Sequence, residues 1–85
     1  MKYDFISDPG HGWLKVKRSE LRILGIDQQI TSYSYQRGEY VYLEEDDDAS
    51  LFLKTKKERN QPVRFRERNA AYRGSRVRNY EHYRP

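Results

Sequence analysis

Two alternating runs on either side of an Arg-Gly pair constrain this chain more than any other feature. They are Ile30-Thr31-Ser32-Tyr33-Ser34-Tyr35-Gln36 and Glu39-Tyr40-Val41-Tyr42-Leu43. β-branched and aromatic residues at every second position fit a pleated, half-buried strand, and Arg37-Gly38 between them reads as a two-residue turn. Such a turn pairs Gln36 with Glu39, Tyr35 with Tyr40 and Tyr33 with Tyr42. One hairpin face then carries Tyr33, Tyr35, Tyr40 and Tyr42, and the other carries Ser32, Ser34, Val41 and Leu43. A three-residue loop would shift the pairing by one and break this arrangement. Exposed, the tyrosine face is a stacking platform or a protein-binding patch; buried, it is the aromatic core of a small sheet.

The remaining elements follow from shorter signals. Residues 3–6 read as a first strand and residues 13–17 as its returning partner. The loop between them is dense in turn residues, and Pro9-Gly10 favours a type II turn with Gly10 at positive φ. Ser19 is an N-cap candidate for a short helix over residues 20–24, closed by Gly25. Asp47 or Asp48 can cap a second helix from about residue 49 to 59, in which Ala49, Phe52, Leu53 and Lys56 follow helical spacing, with Lys56 at the boundary. Asn60-Gln61-Pro62 stops it. Residues 63–68 alternate as a last strand, with Val63 and Phe65 inward and Arg64, Arg66 and Arg68 outward. The order ββαββαβ predicts an α+β fold with a small, mainly antiparallel sheet and two short helices over residues 1–68. From Asn69 the only aliphatic residues are Ala70, Ala71 and Val77, so residues 69–85 are expected to form a basic, aromatic-bearing C-terminal arm.

Charge is segregated along the chain. Residues 1–53 carry six Lys/Arg against ten Asp/Glu, a net −4, whereas residues 54–85 carry eleven against three, a net +8. Segregation adds little to stability and favours attraction to an anionic partner. Arg64, Arg66 and Arg68 would stand roughly 6.5–7 Å apart on one strand face, close to the spacing of successive phosphates. Arg73, Arg76 and Arg78 extend the field, and Tyr80 offers a stacking plane among them. Arginine grips phosphate bidentately and tyrosine stacks on bases, so nucleic acid or a nucleoprotein is the expected partner. An acidic protein surface, or a solvated arm folded against the chain's own acids, are the alternatives.

Other chemistry is sparse. Eighty-five residues suit one domain, and the absence of cysteine excludes a disulfide framework, a thiolate metal site and a cysteine nucleophile. The first residues do not read as a secretory signal and no run approaches membrane-spanning length, so the setting is expected to be cytoplasmic, without a membrane partner. The acid run Glu44-Glu45-Asp46-Asp47-Asp48 lacks calcium-loop spacing and reads as helix capping with a solvated edge, or as a salt-bridge partner for the basic arm. No metal or other cofactor is expected. His11 is the one residue with a catalytic look; without a nucleophile nearby, it reads as a loop residue beside Trp13 or a contact to a partner. The oligomeric state is open. Binding rather than catalysis is the expected mode of action.

Three segments taken together, Asp8-Pro9-Gly10-His11-Gly12-Trp13-Leu14, Tyr33-Ser34-Tyr35-Gln36-Arg37-Gly38 and Tyr42-Leu43-Glu44-Glu45-Asp46, resemble a signature of small proteins from bacteriophage and mobile-element genomes. That signature is a DPGHGWL loop, a YSYxRG turn and a YLEED segment before a short helix. It often closes with an SRxRxY-like stretch, here Ser75-Arg76-Val77-Arg78-Asn79-Tyr80. The resemblance implies a phage or bacterial cytoplasmic setting and brings no activity or site residues with it. By analogy, small phage proteins often act on host proteins, including defence systems, which adds an inhibitor or adaptor of a host protein as the alternative function.

Overall fold

Alternation becomes strand at both ends of the first loop. In the computed structural model, which describes residues 2–69 and 76–85, Lys2–Ser7 (β1) and Gly12–Lys17 (β2) pair antiparallel, with Phe5 opposite Leu14 and Ile6 opposite Trp13. Helix α1 (Arg18–Ile23), a 3₁₀ turn (Asp27–Gln29), β3 (Tyr35–Arg37), β4 (Tyr40–Glu44), α2 (Asp48–Glu58) and β5 (Arg64–Asn69) follow. A second 3₁₀ turn (Arg76–Asn79) and β6 (Glu81–His82) close the chain. Among the described residues the sheet order is β5-β1-β2-β4-β3-β6, with β1 and β5 parallel and the other pairs antiparallel. The described residues therefore form an α+β fold with two helices, as expected, but with six strands in the sheet, and the sequence-derived element order is not matched in full.

Several expectations are corrected by specific contacts. The hairpin turn is Gly38-Glu39, so Arg37 pairs with Tyr40 and Tyr35 with Tyr42. Gly38 at φ +59 occupies the first of the two turn positions, the glycine-first pattern of a type II′ turn. Residues 30–34 leave the sheet because Asp48 captures them: its carboxylate accepts from the N–H and Oγ1–H of Thr31 and from the Ser34 hydroxyl at 2.5 Å. Gly10 does not take positive φ. Asp8 Oδ1 instead accepts from the N–H groups of Gly10 and His11 and shapes the loop itself.

Helix ends differ from expectation at their starts and agree at their stops. Ser19 does not cap α1, which begins one residue earlier. Asp47 sits at the N-cap position of α2, as expected, but neither its side chain nor that of Asp48 bonds the first N–H groups of the helix. Glu44 does so, accepting from the N–H groups of Asp46, Asp47 and Asp48 at 2.5–2.9 Å. Burial raises the Glu44 carboxyl, but these three donors outweigh it and hold it below the usual carboxylate range. Both C-termini close as Schellman motifs, through Gly25 at φ +73 and Asn60 at φ +56.

The helices cover one sheet face. Leu14, Val16, Leu21, Val41, Leu43 and Phe52 are each at most 1% exposed there. Lys56 is not at the boundary: it is buried, with Nζ 2.8 Å from Glu20 Oε2, which also accepts the Tyr3 hydroxyl. Phe65 is not inward; β5 is an edge strand and Phe65 is 48% exposed, while Val63 is half-buried. The last ten residues are not an arm. β6 pairs with β3, Val77 is buried under the opposite sheet face, and Tyr83 enters the helix-side core, its hydroxyl donating to the Asp27 carbonyl.

Candidate nucleic-acid interface and adjoining cleft

The second sheet face is built from the other half of each alternation. Register places Arg66, Asp4, Lys15, Tyr42, Tyr35 and His82 on one line across the strands, since Asp4 pairs with Arg66, Lys15 with Tyr42, Tyr42 with Tyr35 and Tyr35 with His82. Arg64 pairs with Lys2 and Arg68 with Ile6 on either side of that line. Trp13, Tyr42 and Val77 form the buried centre of this face, and Ile6, Tyr35, Tyr40 and Tyr80 pack around it. Among the described residues, Val77 on the 3₁₀ turn is the aliphatic plug. Tyr80 follows it in the chain, and the packing around the plug is aromatic except for Ile6.

At the β5–β1–β2 end the face is basic. Arg64, Arg66, Arg68, Lys2 and Lys15 stand there against one carboxylate, Asp4. Arg66 Nε and Arg68 Nε lie 2.9 and 3.1 Å from the two Asp4 oxygens. Burial raises the Asp4 carboxyl, yet the two guanidiniums outweigh it and hold it low. Arg64 makes no salt bridge among the described residues. Lys15 Nζ sits 4.3 Å from the Tyr40 ring centroid, and the Arg37 guanidinium 5.2 Å from that of Tyr80. These rings hold cations on the sheet by their negative faces.

No family model, curated protein or solved structure matches the chain. The geometry alone carries its functional reading.

The anticipated site residues separate into groups. Arg64, Arg66 and Arg68 share one face, as their alternation predicts. Arg76 is exposed on the 3₁₀ turn, and Arg73 lies outside the described residues. Arg78 is taken up elsewhere, its Nε and Nη2 donating to Asp8 at 2.6 and 2.8 Å, with a further contact of 2.9 Å to His11 Nδ1. Tyr80 lies against Tyr42, ring centroids 5.0 Å apart, so one of its faces is occupied. The four-tyrosine face does not exist as an exposed patch. Tyr42 is buried, and burial together with the Tyr80 phenol pushes its own phenol up to about 12; Tyr35 and Tyr40 are half-buried, and only Tyr33 stands out, 72% exposed in a turn.

His11 does lie beside Trp13, stacked at 5.8 Å with the planes 14° apart. The row of rings continues from Trp13 to Tyr35 at 6.2 Å and from Tyr35 to His82 at 4.7 Å. These rings wall a cleft of about 350 Å³ whose rim includes Glu44, Asp46 and Asp47. Sequence reasoning missed Lys2 and Lys15 as members of the basic face. Their positions, alternating with Tyr3 and with Leu14 and Val16, carried the signal. It also missed the cleft, because nothing local connects His82 to an acid turn thirty-five residues earlier.

Proposed function

We propose that the chain binds single-stranded nucleic acid along the β5–β1–β2 end of its open sheet face, acting by binding rather than by catalysis. The observation that supports this most strongly is the sharing of one face by Arg64, Arg66, Arg68, Lys2 and Lys15 with a single carboxylate among them. Alternate side chains along β5 stand about 6.5–7 Å apart, so successive guanidiniums meet successive phosphates of an extended strand. Asp4 holds Arg66 and Arg68 in place before binding, which lowers the entropy lost when phosphate replaces it. Tyr40, half-buried with the Lys15 ammonium 4.3 Å from its ring centroid, is the stacking candidate in place of Tyr80.

Binding of a labelled oligonucleotide at two salt concentrations tests the reading. Neutralising three phosphate-binding arginines flattens the dependence of log K on log salt by about 2 for a single strand. Arg64→Gln/Arg66→Gln/Arg68→Gln is therefore expected to bind more weakly with that shallower slope. Affinity and slope equal to those of the parent chain would refute the interface.

A further inference from the structure

We infer that the aromatic cleft at the opposite end of the same sheet face binds an organic cation, an alkylammonium or guanidinium group such as a lysine or arginine side chain presents. This goes beyond nucleic-acid binding and does not depend on it. The cleft is formed where segments distant in sequence meet: the loop of Asp8 to Gly12, the turn before β3, the turn after β4, and the second 3₁₀ turn with β6. Its volume of about 350 Å³ accommodates one long side chain.

The walls and the rim both select for positive charge. Within the cleft the Arg78 guanidinium already lies 5.8 Å from the buried Trp13 ring centroid, and Tyr35 is stacked on His82, so the 72% exposed Tyr33 ring is the π-face left for an incoming ammonium or guanidinium group. Of the charged groups at the rim, Glu44 is taken up by three backbone N–H groups and Arg78 by Asp8. Asp46 and Asp47 are exposed and make no salt bridge among the described residues, so their charge is the part left uncompensated.

The two histidines add a directional element. A guanidinium only donates, so His11 Nδ1, 2.9 Å from Arg78 Nη2, must carry its lone pair. A carbonyl only accepts, so His82 Nδ1, 2.7 Å from the Ser32 oxygen, carries the hydrogen. In its neutral form His82 therefore keeps its Nε2 lone pair as an acceptor for an N–H donor. A phosphate or carboxylate ligand would instead meet Asp46 and Asp47 as like charges. An uncharged apolar ligand would leave those carboxylates to be desolvated without a partner. A cation satisfies walls, rim and His82 together.

Trp13, the single tryptophan of the chain, lines the cleft and reports its occupancy. The full chain, freed of nucleic acid, is titrated with N-acetyl-arginine amide, N-acetyl-lysine amide, agmatine and a short Arg/Lys peptide, following tryptophan emission. Citrulline and Nε-acetyl-lysine amides serve as uncharged counterparts. Saturable binding is expected for the cations and at least tenfold weaker binding for the uncharged forms. Asp46→Asn/Asp47→Asn is expected to weaken the cations at least tenfold while leaving the unfolding midpoint in place, because both carboxylates are solvent-exposed. Tyr33→Ala, at a site that contributes nothing to the core, is expected to weaken them several-fold. Equal binding of agmatine and peptide would place the natural ligand among free amines; binding of the peptide alone would place it on a protein partner. Equal binding of citrulline and arginine amides, or full affinity in the double Asn variant, would overturn the assignment, as would the absence of any saturable emission change.

Discussion

The two faces of the sheet are made by the same strands and finished by different means. The helix side is aliphatic, and α1 and α2 seal it with Leu21 and Phe52, both 0% exposed. The other side is aromatic and is covered by a 3₁₀ turn that contributes one buried aliphatic residue, Val77. A cover that small leaves both ends of its face open. One end is basic and the other is a ring-walled, acid-rimmed cleft. A strand can alternate perfectly and still make two unlike surfaces: one face folds the chain, and the other presents cations at one end and rings with carboxylates at the other.

The largest expected effect lies on the sealed face. Phe52→Ala should cost about 3–5 kcal/mol, enough to unfold much of the population of a domain this small. Val77→Ala, which removes two buried methyl groups, should cost about 1–2 kcal/mol. Urea denaturation of both variants checks the difference. Equal costs would mean that the two covers are energetically equivalent and would break the contrast.

Alkaline stability sharpens it next. Burial, with Glu20 adding to it, raises the Tyr3 phenol on the helix side; burial and Tyr80 raise Tyr42 to about 12 on the other. A folded-state value above the unfolded one of about 10 gives stability that is complete below pH 10 and lost as pH rises through the folded value. Tyr42→Phe is expected to remove its share of that alkaline loss, measured as the unfolding midpoint between about pH 9 and 12. An unchanged alkaline limb would show that Tyr42 ionises freely and that the aromatic cover is looser than described.

The smallest effect is at acid pH. Glu44 and Asp4 are both held low in the folded state, so each contributes stability above the ordinary carboxylate range of about 4 that disappears as pH falls through the lowered values. Glu44→Gln should flatten the acid limb of the stability profile, and Asp4→Asn should flatten it less, because its partners Arg66 and Arg68 are more than half exposed. The reverse order would indicate that the basic face, rather than the helix cap, governs acid stability.

Legibility in the sequence followed how local each cause was. Strand alternation predicted which residues share a face, and this survived the misplaced turn because moving the pairing by one residue in each strand preserves parity. Gly25 and the stop after residue 59 were readable, since both are set by the chain's own next residues. The loss of strand at residues 30–34 was not, because Asp48 acts on them from fourteen and seventeen positions away. Glu44 as the cap of α2 was hidden among five consecutive acids, any of which could have served. The C-terminal segment was misread through its polarity. Val77, Tyr80 and Tyr83 are too few to form a core, yet at three-residue intervals they suffice to dock on a sheet that is already made.

The central claim is that the open face, and not the helix face, meets nucleic acid. Amide chemical-shift mapping of the isotope-labelled chain with an unlabelled single-stranded oligonucleotide tests it most directly. The expected result is perturbation centred on Lys2, Asp4, Lys15, Tyr40, Arg64, Arg66 and Arg68, growing as salt is lowered, with α1 and α2 unaffected. Perturbation centred on the helices, or none at low salt, would contradict it.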